Sequence, residues 1–212
     1  MRKRRKATNN LETIAERIRD FFSTKDTARE KVIRLCREVI RYSANAIRAV
    51  HRQDQAEAKQ LLRSAHNSLH QIAKSVPKEH NDLLYGGLIH DAQKEFAEAS
   101  ITLALVTGDT IPTPEAAGIT YAAYLNGMGE AVGELRRYLL DSLRRDDLSR
   151  CEVLLATMDD IYSVLVTMDF PDAITFGLRR TTDSVRGILE KTRGDLTLVL
   201  RQKALEDKLK SK

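Results

Sequence analysis

The sequence predicts an all-α protein, an elongated antiparallel multi-helix bundle, and three observations predict it. Apolar residues recur at three- and four-residue spacing along most of the chain. The 212 residues contain only ten glycines and four prolines, and the clearest breaks are Gly86-Gly87, Gly108 and Pro112 to Pro114, so breakers separate long segments rather than many short strands. With 42% hydrophobic residues the chain can bury a substantial core. No stretch has the composition of a flexible linker, so 1–212 reads as a single domain with a basic tail at 1–7 and a charged tail at about 204–212.

From Leu11 to His51, residues Ile14, Ile18 and Phe21, then Val32, Leu35, Val39 and Ile47, keep helical spacing and predict one long helix or two. A second helix, Ala56 to Val76, carries Leu61, Ala65, Leu69 and Ile72 on one face and is stopped by Pro77. A third runs from about His80 to Val106. After the loop through Gly108, Pro112 and Pro114, helical spacing resumes near Ile119 and continues to about Leu143. Asp146 or Asp147 can cap a helix from about Leu148 to Met168, and Asp172 opens the last one, through Leu205. At 1.5 Å per residue several of these exceed about 30 Å, longer than a globule of this size needs, which predicts an assembly of several copies.

No run of about 18 apolar residues occurs, and MRKRRK leads into polar ATNN, so neither a membrane span nor a secretory signal is expected and the protein is expected to be cytoplasmic. Cys36 and Cys151 have no CxxC or Cys/His pattern and read as buried free thiols. A net charge of +5 and a pI near 9.2 suit a polyanionic partner without requiring one. The run Arg2, Lys3, Arg4, Arg5 and Lys6 reads as phosphate-contacting or simply solubilising. Aromatic residues are 5% of the chain and Trp is absent, so base-stacking platforms are expected to be scarce and any grip on nucleic acid mostly electrostatic.

The chemistry-bearing pattern is acidic. Asp91, Glu95, Glu98 and Thr102 step by four, three and four and share one stripe of a helix. Clustered carboxylates repel unless neutralised, which Mg2+ or Mn2+ would do; the plainer reading is a charged face balanced by Lys94. Glu130 and Glu134 stand one turn apart on the next long helix, opposite Met128, Val132, Leu135 and Leu139. Alone they read as a solvated ion-pair ladder, but a two-helix metal site needs such a second pair. No His has Glu three residues before it, which removes the ferritin-like di-iron pattern. His90-Asp91, with His66 and His70 on one face, leaves a histidine–aspartate phosphohydrolase as an alternative. GxxxxGK[ST], GxGxxG and GxSxG are absent. Arg136, Arg137, Arg144, Arg145, Arg179 and Arg180 are candidate phosphate contacts.

The segment YLNGMGEAVGELRRYLLDSLRRDDLSR, Tyr124 to Arg150, resembles the Y-L-x-G, E-L-x-R pattern of the translin and translin-associated factor X family. LRRTTDSVRGILEKTRGDLTLVL resembles the family's C-terminal helix, and the resemblance spans about Phe21 to Leu200. QKEFAEAS is similar to Q-E-Y-V-E-A-[VS] of the catalytic branch, with Glu95 and Glu98 at the acidic positions. Glu134 matches the acid of G-E-L, and Glu130 stands where that branch has Asp. The resemblance implies a closed oligomeric shell, octameric, that encloses RNA; a homo-oligomer is expected, with a shell shared with a translin-like partner the alternative. It also implies a metal-dependent endoribonuclease in which Glu95, Glu98 and Glu130 hold Mg2+ or Mn2+ and Glu134 assists. Single-stranded DNA is a further expected ligand. The alternatives are a non-catalytic RNA or single-stranded DNA binding shell and a small-molecule phosphohydrolase.

Overall fold

Leu11–His51 forms one unbroken helix, α1, of 41 residues in the computed structural model, which describes residues 10–210. At 1.5 Å per residue it is about 62 Å long. Its buried positions begin only at Ala28, and Leu11, Ile18 and Phe22 face outward. The basic run at residues 2–6 lies outside the described residues. Asp54 caps α2, Gln55–Ser75, by accepting from the Glu57 amide at 2.9 Å. Because only three residues separate α1 from α2, the two form an antiparallel hairpin.

The predicted third helix is divided. Lys78–Tyr85 is a 3-10 segment with non-helical dihedrals at His80, and α3 proper is Gly87–Thr107. Pro77 and the Gly86-Gly87 pair bound the tighter segment, so the breakers act on both of its sides. Gly108 closes α3 in the left-handed conformation at φ 80°, and the Arg150 guanidinium donates to the carbonyls of Leu105 and Val106 in its last turn. That places a cation at the negative end of the helix.

A single turn, α4 (Pro114–Ala117), precedes α5 (Tyr121–Arg144), which Thr120 caps. Then come α6 (Cys151–Val166), the single turn α7 (Asp172–Thr175) and α8 (Leu178–Lys210). Neither Asp146 nor Asp147 caps α6. Arg150 occupies that position, and Asp147 instead accepts from the Ser149 amide and hydroxyl in a local turn. Asp172 opens only α7, because Phe176 and Gly177 take positive φ and break the chain before α8. The segment read as a charged tail is helical as far as Lys210, the last described residue, since its Lys, Glu, Ala and Leu residues favour helix and no breaker interrupts them.

The core lies in two parts with α3 between them. Val32, Leu35, Val39, Leu69 and Ile72 close α1 and α2 onto Ile89 and Phe96 of α3. Leu135, Leu139, Leu154, Met158, Leu165, Leu189 and Leu196 join α5, α6 and α8, with Ile101 of α3 reaching the same cluster. No strand occurs among the described residues, and no described helix is long and apolar enough to cross a membrane. Cys36 and Cys151 are free and buried, as expected; burial, with Asp91 nearby, pushes the Cys36 thiol up to about 11.

Candidate functional site

The acids are brought together by a place where two helices touch backbone to backbone. A Cβ on Gly127 of α5 would stand 2.5 Å from the Lys94 carbonyl oxygen and 2.9 Å from the Glu98 amide nitrogen of α3. Only glycine permits that approach. One turn further along α5, Glu130 therefore faces Glu95 and Glu98, and a carboxylate oxygen from each of the three lies within 4.8 Å of the others. Asp91 is exposed and outside this group, while Thr102 is fully buried, so the stripe runs from solvent through the cluster into the core. Lys94 acts on Glu98 only through its nearby charge, and its direct ion pair lies elsewhere. Its ammonium crosses to Glu130 Oε1 at 2.6 Å.

The electrostatics follow from burial and crowding. Burial, then the neighbouring charges of Glu130, Glu95 and Glu134, push the Glu98 carboxyl up to about 8. Burial and Glu130 also raise Glu95. Burial draws the Lys94 ammonium down, but its hydrogen bond and ion pair with Glu130, helped by Glu95 and Asp91, outweigh that and the net direction is up. One ammonium thus faces three carboxyl groups. The all-oxygen donor set, ionised on binding, fits a hard divalent cation, Mg2+ or Mn2+.

Glu134 lies apart from the trio. His51, the last residue of α1, donates from Nε2 to Glu134 Oε2 at 2.5 Å, and Arg137 approaches the same oxygen at 3.7 Å. The hydrogen bond from His51 holds the Glu134 carboxyl below its ordinary value, against the upward effect of burial. Sequence pattern did not single out His51, because its partner is 83 residues away. Arg136, a candidate phosphate contact, is instead engaged within the bundle: it donates to Thr192 Oγ1 at 2.9 Å and pairs with Asp195 at 2.7 Å, tying α5 to α8. Arg137, Arg144 and Arg145 are outward or half-outward, Arg144 within 3.8 Å of Asp141. His66 and His70 meet edge-on at 4.5 Å on α2, and no described His joins a group of three potential metal ligands.

The cluster opens into a cleft of about 880 Å3 whose far wall is the α7–α8 junction. Buried Asn126 fixes that wall to α5, donating to the Thr175 carbonyl at 2.8 Å and accepting from the Thr181 hydroxyl at 2.8 Å. Gly129 admits Thr181, whose Cγ2 would lie 2.4 Å from an added Cβ. Phe176 and Arg180 line the cleft opposite the acids, and Arg180 makes no ion pair with a described residue. Beside them His90 stacks on Phe176, and burial holds its imidazole below the ordinary value.

The fold and site together are those of an all-α bundle with a half-buried carboxylate trio shared by two packed helices and open to a cleft. No family model matches the chain. The uncharacterized protein MJ0175 of Methanocaldococcus jannaschii is 31% identical over 196 residues, 90% of this chain and 85% of that protein. AfC3PO, solved in complex with duplex RNA, is 32% identical with a TM-score of 0.78, covering 91% of this chain and 97% of that one. NeC3PO in its apo form shares the fold at a TM-score of 0.73 and 20% identity, over 90% of this chain and 97% of its own. The chain belongs to the translin and translin-associated factor X family.

Proposed function

We propose that the protein is a divalent-metal-dependent endoribonuclease that encloses RNA within an oligomeric shell of its own copies and hydrolyses phosphodiester bonds at the acid cleft. The observation that carries this reading is the meeting of Glu95, Glu98 and Glu130 within 4.8 Å at the edge of an open cleft. These residues would hold Mg2+ or Mn2+, which when bound supplies an activated water and charge neutralisation at the phosphate. Glu134, kept ionised by His51, is an acceptor that orients water one turn beyond Glu130. Arg180 is a cation with no ion pair among the described residues and suits a phosphate oxygen across the cleft. Arg137, Arg144 and Arg145 are assigned to phosphates outside the cleft, and Arg136 is left to its structural pair.

The 32% identity to a protein solved with duplex RNA supports RNA as the ligand, with single-stranded DNA as a second one. The form of shell proposed is an octamer of this chain's own copies, the octamer being what the family resemblance implies, with the cytoplasm as its proposed location. The test compares the wild type with Glu98→Ala after rigorous purification. The variant is expected to lose Mg2+-dependent RNA cleavage by at least about a hundredfold, as loss of a residue that holds the catalytic ion does. RNA affinity in EDTA and the light-scattering mass, a multiple of 24.0 kDa, are expected to persist. Unchanged cleavage by the variant sinks the assignment. A wild type that binds RNA without metal-dependent turnover is a binding shell.

A further inference from the structure

Phe176 is out of keeping with its surroundings. It takes the left-handed conformation at φ 53°, which a bulky side chain rarely adopts, and Gly177 follows at φ 79°. Strained residues of this kind persist where the neighbouring structure holds them, often at ligand sites. The strain here does not serve burial, because the side chain is 48% exposed. It turns an aromatic ring into the cleft that Glu98 and Glu130 line. The other exposed apolar residues of this stretch, Phe170 and Ile174, line a different and almost wholly apolar groove that does not include Phe176.

The ring is also backed. His90, itself 8% exposed, lies parallel to it with centroids 4.0 Å apart and planes 10° from coplanar. One face of Phe176 is thus covered by a buried partner, and the ring lines the cleft. One turn further along the chain, Arg180 lines the same cleft. A held aromatic face beside an unpaired cation, opposite a carboxylate cluster, matches the chemistry of one nucleotide: a flat base to stack and a phosphate to pair.

We infer that Phe176, backed by His90, is a stacking platform for an unpaired nucleobase, which seats the neighbouring phosphodiester between Arg180 and the acid cluster. This rests on the endoribonuclease reading for the identity of its ligand. Bases inside a duplex have both faces covered by their neighbours, so the platform engages a single-stranded, terminal or extruded nucleotide. The cleft then selects where a strand is cut by its local unpairing rather than by its sequence, because every base offers a face to stack on.

The experiment measures binding of full-length protein in EDTA to a short single-stranded RNA and to the same RNA carrying abasic sugars. Wild type is compared with Phe176→Trp, Phe176→Leu and Phe176→Ala. Stacking of one base is expected to make the Leu and Ala variants about tenfold weaker for the normal RNA and to leave Trp at wild-type affinity or tighter. The abasic RNA should bind all four alike. Equal affinities for the normal RNA, or an equal loss on both RNAs, overturns the platform. So does a light-scattering mass reduced in Phe176→Leu with RNA affinity per copy retained, which makes the ring a subunit contact. Because binding is read without metal, the expected ranking in a protein that does not cleave RNA sustains the platform and removes only the nuclease; a wild type that binds neither RNA overturns both.

Discussion

A carboxyl group held near 8, as Glu98 is, couples the acid cluster to the stability of the fold. Below its ordinary value of 4.5 the group is protonated whether the chain is folded or not. Between about 4.5 and about 8 the folded protein keeps a proton that the unfolded chain releases, so metal-free stability present at low pH is lost as pH rises through that window. Thermal unfolding followed by circular dichroism should show Tm of the metal-free protein falling from pH 5 to pH 8. Glu98→Gln should flatten the fall and melt higher at pH 8 by roughly 5 °C. Mg2+ should reverse the trend in the wild type, raising Tm more at pH 8 than at pH 6, because its ligands must be ionised. A metal-free Tm that does not move over this range contradicts the burial argument. At this scale the sequence was informative where chemistry followed helical periodicity. Glu95, Glu98 and Glu130 were legible as helix faces. The Lys94–Glu130 pair, 36 residues apart, was not, since i,i+4 spacing pointed Lys94 at Glu98. Low aromatic content argued against stacking, yet composition does not say where a ring is aimed.

Helices were legible as elements because their apolar spacing runs uninterrupted, and their ends were less so because ends depend on caps and single dihedrals. Phe176 and Gly177 divided the last predicted helix, and Pro77 with Gly86 converted the start of the third into a 3-10 segment. The motif glycines of α5 were visible in the sequence, but their reason is tertiary. Gly127→Ala sets a methyl 2.5 Å from a backbone oxygen of α3 and 2.6 Å from the Ala97 Cβ, neither of which can yield without the helices separating. It should cost about 1–3 kcal/mol and abolish cleavage even at temperatures where the variant is folded. Gly133 is the control on the same helix: its added Cβ meets only Ile188 Cδ1 at 4.0 Å. Gly133→Ala should keep cleavage and gain about 0.5–1 kcal/mol from helix propensity. Denaturant melts with a parallel RNA-cleavage assay check both, and equal behaviour of the two variants sinks the close-contact account.

Over the whole molecule, the charge is net positive, and acids and bases meet in ion pairs along its surface. Glu98 and Glu130 line the cleft together with Lys94 and Arg180, in a chain whose net charge is +5, so the outward basic residues carry the long-range attraction for a polyanion. RNA affinity should therefore fall steeply with salt. Arg144→Ala combined with Arg145→Ala should lower the slope of log K against log salt by about 2 and leave the single-turnover cleavage rate of bound RNA unchanged. An unaltered slope removes these arginines from the RNA contact. The net charge is legible in composition, but which cations remain free to face a partner is not, because neither the burial of the acids nor the inward commitment of Arg136 to Asp195 can be counted from it.

For an ion held by the proposed ligands Glu95, Glu98 and Glu130, the glycine contact between α3 and α5 would also set a gauge for ionic radius. Where side chains separate two helices, a site can widen by changing rotamers, but at Gly127 the limit is backbone against backbone. Mg2+ takes oxygen at about 2.0–2.1 Å and Ca2+ at about 2.3–2.6 Å, and a gap fixed in this way disfavours the larger ion. Ca2+ added to the Mg2+ cleavage assay should thus be a weak competitor of the wild type. In Gly127→Ala, its helices pushed apart, Ca2+ should raise the melting temperature relatively more than Mg2+ does, and an unchanged order of the two ions contradicts the gauge.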